Sequence, residues 1–121
     1  MSDTNNSEAI IDIPRAIQLA ANKADLAKDL FQMLMDSLPD ARAKMEQGFA
    51  KQDMEQLLHE VHRLHGATRY CGVPALQAAC QNAEAIIKRD DHSQLQASLE
   101  SLYGEIERLQ GWAQNNEWRA P

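Results

Sequence analysis

The sequence is poor in aromatic residues and cysteine, and it contains no long apolar run. Aromatic residues make up 5% of its 121 residues, and there are two cysteines. No stretch of about 18 consecutive apolar residues occurs, so we expect no membrane-spanning helix and no direct membrane contact. No apolar segment typical of a signal peptide follows Met1. The compartment is therefore expected to be reducing and cytoplasmic, with Cys71 and Cys80 as free thiols that are buried or half-buried in the protein. Their spacing matches no zinc motif.

The sequence also lacks an excess of positive charge. Twelve Lys and Arg residues stand against 18 Asp and Glu residues, for a net charge of −6. This balance excludes sequence-independent binding to nucleic acid, which needs a basic surface. What is abundant instead is Leu, Ala, Met, Gln and Glu, which lose little side-chain freedom in a helix. The composition therefore favours an all-α protein.

Apolar residues recur at offsets of three and four along four long segments and one short one. The short segment is predicted to open a helix at Pro14. Asn22, Asp53 and Ser93 are interpreted as N-caps of long helices. Pro39 is expected to kink the first long helix without breaking it.

The remaining boundary is marked by glycine and proline together. Gly72 is predicted to end one helix and Pro74 to open the next. Because short connections make neighbouring helices antiparallel, we predict an all-α, antiparallel up-down four-helix bundle with a short extra N-terminal helix. The bundle is assigned to residues 9–116, with a disordered tail at 1–8 and a frayed tail at 117–121 that includes Trp118.

Three of the four histidines fall within one predicted helix, after Asp53. With about 100° of rotation per residue, its apolar side chains cluster on one face, and His62 lies about 120° or more from the centre of that face. His62 is therefore predicted to be exposed. Four other residues fall within about 60° of it on the same surface: His59, His65, Gly66 and Arg69.

Gly66 lies one turn after His62, where the absence of a side chain would leave the imidazole open to a large reactant. A glycine inside a helix costs about 1 kcal/mol relative to alanine, so its presence needs a reason. The alternative, equally supported by periodicity, is a packing glycine where another helix approaches closely.

His62 is chemically suited to accept a phosphoryl group. An imidazole with an ordinary pKa of about 6.5 is largely neutral at neutral pH and offers a lone pair for in-line attack. His65 and Arg69 could hydrogen-bond phosphate oxygens, although Arg69 could equally be a solvated surface residue. His59 and Arg63 are possible residues at the site edge, and for Arg63 a solvated surface position is favoured.

The segment resembles the histidine-containing phosphotransfer family, whose pattern is H-x-L-K-G-[SA], then G-x-x-x-L, then C-x-x-[LA]-E. The matching stretches are HRLHGA at 62–67, GVPAL at 72–76, and Cys80 with Glu84. The amino-acid sequence of this segment is most similar to that of the C-terminal phosphotransfer domain of GacS/BarA-type hybrid sensor histidine kinases. His65 stands where the family pattern has a lysine. That departure makes the positive charge beside the site dependent on pH.

The resemblance implies a phosphoryl carrier with no kinase activity of its own, either free-standing or part of a hybrid kinase. His62 would take the phosphoryl group from a receiver-domain aspartate and pass it to a response-regulator aspartate, and Nε2 is the expected point of attachment. No cofactor is expected on the domain, because Mg²⁺ would sit on the partner receiver. The expected state is a monomer with receiver domains as its partners. The expected location is cytoplasmic, in a piece of an inner-membrane sensor kinase if the domain is excised from one.

Two other classes of function stay open at this stage. His59, His62 and His65 could bind a metal ion, but the first and third diverge by about 120° around the helix and no cysteine or carboxylate cluster completes a site. A helical interaction module with incidental histidines is the other alternative.

Overall fold

The computed structural model describes residues 9–121, and the predicted disordered tail at 1–8 lies outside the described residues. Within them the chain forms five α-helices and no strand. The helices are α1 (Ile13–Leu19), α2 (Ala24–Ala50), α3 (Met54–Thr68), α4 (Pro74–Lys88) and α5 (His92–Asn115). The sequence-based prediction of four long helices and a short leading one is confirmed.

The four long helices form the bundle. α2 packs on α3, α3 on α4, and α4 on α5, while α1 lies against α2. The connections between successive long helices are short, as an up-down arrangement requires. The core is apolar and runs the length of the bundle, and its largest fully buried side chains are Leu38, Met45, Leu57, Val61, Val73, Leu76, Leu102, Ile106 and Leu109.

Several helix boundaries follow the residues that predicted them. The Asp53 carboxylate caps α3 by accepting a hydrogen bond from the backbone N–H of Gln56 at 3.0 Å. Pro74 occupies the first turn of α4. α2 continues through Pro39, so the expected absence of a break there is confirmed.

Two predicted caps are wrong by one or two residues. α2 begins after Lys23, which makes no side-chain cap, because Asn22 adopts the left-handed conformation with φ of 63°. α5 begins after Asp91, and the Ser93 hydroxyl donates to the Asp91 carboxylate at 2.6 Å. Asn22 lies in the turn before α2, whereas Ser93 lies in the first turn of α5, two residues after the N-cap.

The C-terminal segment is anchored at Trp118. The expectation of a frayed end does not hold for this residue, because only 6% of Trp118 is exposed. Nearby, the Phe31 and Trp112 rings meet edge to face at 5.8 Å between centroids. Both cysteines are free and buried, as expected, and burial raises the pKa of Cys71 to about 11. The thiols are therefore packing residues of the core.

The turn after α3 holds α1 in place. Gly72 has a left-handed φ of 62°, and its carbonyl accepts a hydrogen bond from the Asp12 N–H at 2.7 Å. A Cβ on Gly72 would collide with the Asp12 carbonyl oxygen and lie 2.9 Å from Ala16 Cβ. Only glycine permits this contact. Gly72 therefore allows the chain to turn into α4 and also allows α1 to pack closely against that turn.

Candidate functional site

The candidate site lies where α3 and α4 pack side by side, and its acceptor candidate faces solvent. The His62 side chain is 66% exposed, in agreement with its predicted place on the helix. Leu57, Val61 and Leu64 on the opposite side of α3 are buried in the core and fix the rotation of the helix.

A buried carboxylate from the neighbouring helix holds the His62 ring. Glu84 of α4 is only 7% exposed, and its Oε2 lies 2.7 Å from His62 Nδ1. Its other oxygen, Oε1, lies 2.8 Å from His65 Nδ1. One carboxylate therefore orients two imidazoles from successive turns of α3.

Lys88 completes the surroundings of Glu84. Its Nζ lies 3.1 Å from Oε2, the same oxygen that His62 contacts, and the lysine side chain is 59% exposed. Burial alone would raise the pKa of Glu84, but the hydrogen bonds from His65, His62 and Lys88 outweigh burial and lower its pKa to about 2. Glu84 is therefore ionised throughout the neutral range.

The charge of Glu84 determines the tautomer of its partners. An ionised carboxylate can only accept hydrogen bonds, so Nδ1 of His62 and Nδ1 of His65 each donate a proton to it. In a neutral His62 ring the proton is then on Nδ1 and the lone pair is on Nε2. Because Nδ1 is held against α4 and the ring is largely exposed, Nε2 is the nitrogen available for attack.

The other predicted site residues divide into two groups. His65 was expected to share an open surface with His62, but it is 9% exposed and buried between α3 and α4. That expectation is wrong because α4 covers the side of α3 toward which His65 turns. His59 and Arg69 are exposed as expected. Arg69 lies beside a shallow depression lined by Arg15 and Gln77 rather than in the Glu84 cluster.

Gly66 faces open space. A Cβ added there would meet no heavy atom within 4 Å, so no other described helix approaches it closely. The alternative of a packing glycine is not supported. The surface one turn after His62 is empty, as access by a large reactant would need.

A groove of about 300 Å³ between α2 and α3 lies on the other side of the acceptor helix. Arg63, predicted as a possible edge residue, lines this groove rather than the Glu84 cluster. Met33 and Tyr70 are large exposed apolar residues beside it. The rest of the lining is mostly apolar and includes Leu30, Leu34, Ala41, Leu64 and Ala67.

Neither Glu84 nor Lys88 was predicted from the sequence as a functional residue. Glu84 was noted only as part of the family pattern. One signal for Glu84 was present: it lies four residues after Cys80 and three before Ile87, on the apolar stripe of α4. A charged residue on a buried stripe needs a partner, and the histidines of α3 are that partner.

The arrangement does not favour a metal centre. Among residues 9–121, no three His, Cys, Asp or Glu side chains are placed to hold a metal ion together. His62 and His65 direct Nδ1 at Glu84 rather than toward a shared coordination point. His59 stands apart on the exposed surface.

A solvent-exposed histidine, held by one ring nitrogen against a buried carboxylate in a helical bundle, is the arrangement expected of a phosphocarrier module. The Hpt domain family model matches residues 29–112, most of the chain. The chain belongs to the Hpt, or histidine-containing phosphotransfer, domain family, whose members carry phosphoryl groups in two-component phosphorelays. None of the described helices is long and apolar enough to cross a membrane.

Its relatives include much longer sensor kinases. The chain is 45% identical over 107 residues to the sensor histidine kinase GacS of Pseudomonas protegens, covering 88% of this chain and 12% of that protein. It is 35% identical over 105 residues to the signal transduction histidine-protein kinase BarA of Escherichia coli, covering 86% of this chain and 11% of BarA. The chain thus spans about one eighth of the length of GacS.

A solved structure gives the same fold. The crystal structure of the HPT domain from an Hpt sensor hybrid histidine kinase of Shewanella matches with a TM-score of 0.80 and 30% identity. The match covers 88% of this chain and 92% of that one. The helical bundle described above is therefore the Hpt fold.

Proposed function

We propose that His62 is the phosphoacceptor and that the phosphoryl group is attached to Nε2. The observation that carries this proposal is the 2.7 Å contact between His62 Nδ1 and ionised Glu84, on a ring that is 66% exposed. This contact puts the proton on Nδ1 and leaves the lone pair of Nε2 on the solvent side.

The transfer needs no proton to move at Nε2. The Nε2 lone pair attacks phosphorus, the P–O bond to the receiver aspartate breaks, and the aspartate leaves as a carboxylate. The product ring has phosphorus on Nε2 and hydrogen on Nδ1, so it carries a positive charge. Glu84 lies against Nδ1 and stabilises that charge as it develops. Onward transfer to a second aspartate is the same step in reverse.

The residues around His62 have distinct proposed roles. Gly66 keeps the approach to Nε2 open, and His65 supports the site by fixing Glu84 from its second oxygen. Arg69, about 10 Å along the helix from His62, offers a permanent positive charge to the acidic surface of a partner. His59 borders the site one turn before His62, and Arg63 borders it toward the α2–α3 groove.

We also propose that a receiver domain covers the α2–α3 groove when it reaches His62. The groove borders the acceptor helix, and its apolar lining with exposed Met33 and Tyr70 suits the centre of a small transient interface. The cations Arg63 and Arg69 flank this helix in a chain whose net charge is −6. Positive charge placed here would steer the acidic phosphorylation pocket of a receiver toward His62.

The relatives suggest the wider setting. GacS and BarA are named as sensor kinases, and this chain matches about one eighth of GacS. We propose that the domain works in the cytoplasm as a carrier between the receiver of a hybrid sensor kinase and that of a response regulator. It is proposed to be a monomer on its own, with no cofactor, since the Mg²⁺ for transfer would sit in the receiver's acidic pocket.

The direct test is transfer from a receiver domain whose aspartate carries a radiolabelled phosphoryl group. The wild-type chain should become labelled during the incubation with the receiver, whereas His62→Gln should show no label above background. His62→Gln should fold normally because the side chain it replaces is mostly exposed. His92→Gln, which changes an exposed histidine on α5, is the matched control and should be labelled like the wild type.

His65→Gln should also retain the label, at a lower rate, because it supports Glu84 without carrying the phosphoryl group. If the label survives in His62→Gln but disappears in His65→Gln, then His65 is the acceptor and the assignment to His62 is wrong. The label should be lost in acid and kept in base, as expected for a phosphorus–nitrogen bond.

Substitutions of Gly66 should distinguish its effect on access of a receiver to His62 from its effect on the stability of the domain. Gly66→Ala should stabilise the domain by up to about 1 kcal/mol, because the site is open and alanine favours a helix interior. Gly66→Leu should fold but slow phosphoryl transfer by about tenfold or more, because side chains lean toward the helix N-terminus and this one would lie over His62. Denaturant unfolding and transfer kinetics on both variants check this. Unchanged transfer in Gly66→Leu would contradict the proposed open approach.

A further inference from the structure

Glu60 of α3 is a buried carboxylate without a partner in the described part of the chain. Five polar or charged residues of that part are buried: Glu60, His65, Thr68, Glu84 and Ser98. Four of the five form side-chain hydrogen bonds, and Glu84 alone is held by three donors. Glu60 is 7% exposed, as Glu84 is, yet its side chain forms no hydrogen bond or ion pair with any of residues 9–121.

The groove between α2 and α3 gives access to this carboxylate. Glu60 lines the groove together with Leu34 of α2 and Leu64 of α3, both of which are buried. A carboxylate in such apolar surroundings is costly unless another group pairs with it. Because buried polar groups in folded proteins nearly always have partners, Glu60 points to a partner that residues 9–121 do not supply.

The charges around the groove favour a cation as that partner. Arg63 lines the same groove three residues after Glu60, but it is exposed and forms no ion pair with it. Asp40 of α2 adds a second carboxylate to the lining, and its own ion pair is with Lys44 at 3.2 Å. Of the described lining residues, two are acidic and one is basic, and the one of these three that is buried is Glu60.

We propose that the receiver domain inserts a lysine or arginine side chain into the α2–α3 groove and pairs it with Glu60. This proposal rests on the proposed covering of the groove by a receiver. The aliphatic stem of the inserted side chain would pack against Leu34 and Leu64, while its charged end reaches the carboxylate. The groove volume of about 300 Å³ is at the small end of the range for ligand pockets, which suits one long side chain.

Glu60 would then determine which receivers dock. A receiver with an apolar or acidic side chain at this point would cover the carboxylate and leave it unpaired, which lowers its affinity relative to a receiver with a cation. Glu60 lies two residues before His62 and about 200° from it around α3, so it does not touch the phosphoryl group. Its effect is therefore expected on receiver binding rather than on the chemistry at His62.

The first test measures binding of the receiver that labels His62, in its unphosphorylated form so that no transfer occurs. Glu60→Gln should raise Kd by about tenfold or more, mainly through faster dissociation, because losing one member of a buried charge pair acts on release of the partner. Glu55→Gln removes the same charge from an exposed position in the first turn of the same helix. This control should bind like the wild type.

The second test identifies the cation on the receiver. Each lysine and arginine on the receiver surface is changed to glutamine, one at a time. One of these changes should weaken binding to the wild-type chain about as much as Glu60→Gln does, and it should cause little further loss when combined with Glu60→Gln. If every receiver variant loses as much against Glu60→Gln as against the wild type, no cation pairs with Glu60 and the proposal is wrong.

Stability provides an independent check on the unpaired carboxylate. Glu60→Gln should be no less stable than the wild type in denaturant unfolding, because it removes a charge that no described residue compensates. A clear loss of stability would mean that Glu60 has a partner within its own chain, which contradicts the proposal. A wild-type dimer that Glu60→Gln abolishes would assign the groove to a second copy of the chain and would also overturn it.

Failure of the underlying docking proposal looks different. Met33→Asp places a charge on an exposed residue beside the groove, so it should weaken binding of any receiver that covers the groove. If Met33→Asp and Glu60→Gln both bind like the wild type, the receiver does not cover the groove and both proposals fail. If Met33→Asp weakens binding and Glu60→Gln matches Glu55→Gln, only the cation on Glu60 is overturned.

Discussion

Replacing Glu84 with glutamine should slow phosphoryl transfer to His62 by about 100-fold at neutral pH. The carboxylate is the group that fixes the His62 proton on Nδ1, through a 2.7 Å hydrogen bond. A glutamine amide carries no charge, so it would not stabilise the positive ring formed when Nε2 takes phosphorus. It also presents an NH₂ group where the two imidazoles now find two acceptor oxygens, so one ring would lose its partner or change tautomer.

Transfer rates from a labelled receiver measure this effect, with Glu100→Gln on the exposed face of α5 as the matched control. The control should transfer at the wild-type rate. If Glu84→Gln is labelled on His62 as fast as the control, orientation of the ring by Glu84 has no part in the transfer.

The same substitution should change how stability depends on pH. Burial raises the pKa of Glu84, but the bonds from His65, His62 and Lys88 bring it down from 4.5 to about 2. A carboxyl with a lowered folded-state pKa contributes stability that is fully present above its unfolded pKa and is lost as pH falls through the folded value. Because His62 and Lys88 are more than half exposed, solvent screens part of this effect, and the contribution to stability is on the order of 1–3 kcal/mol.

Urea unfolding at about pH 6 and about pH 3 checks the sign. The wild type should be more stable than Glu84→Gln near neutral pH, and the difference should shrink in acid. A difference that stays constant across this range would mean that the His62, His65 and Lys88 contacts do not hold the carboxyl in its charged form.

The sequence predicted most of the fold because the fold depends on local signals. Helical periodicity placed the four long helices, Asp53 marked the start of α3, and Gly72 with Pro74 marked the turn into α4. The exposed position of His62 followed from the same periodicity, since an angle around one helix needs only the residues of that helix.

The partner of His62 could not be predicted in this way. Glu84 is 22 residues from His62 in sequence, and their contact depends on how far α4 slides and rotates against α3. Periodicity gives the angle of a side chain around its own helix but neither of these quantities. The burial of His65 was missed for the same reason, because α4 covers a side of α3 that looked open when α3 was considered alone.

The turn that sets the relation of α3 to α4 should be the most sensitive backbone position in the domain. Gly72→Ala is expected to lower the free energy of unfolding by about 2–4 kcal/mol. Gly72 has φ of 62°, which disfavours a side chain. Its added Cβ would also collide with the Asp12 carbonyl oxygen and lie 2.9 Å from the Ala16 nitrogen, both backbone atoms that cannot rotate away.

Relief would require α1 to move off the bundle, which would expose Ala16 and Ala20, both now buried. Gly104→Ala is the matched control, because Gly104 lies inside α5 with no heavy atom near the new Cβ. It should stabilise the domain by about 0.5–1 kcal/mol. Denaturant unfolding followed by circular dichroism should therefore give a lower free energy of unfolding for Gly72→Ala and a higher one for Gly104→Ala. If Gly72→Ala is as stable as the wild type, the close contact between α1 and the α3–α4 turn at Gly72 is not formed in solution.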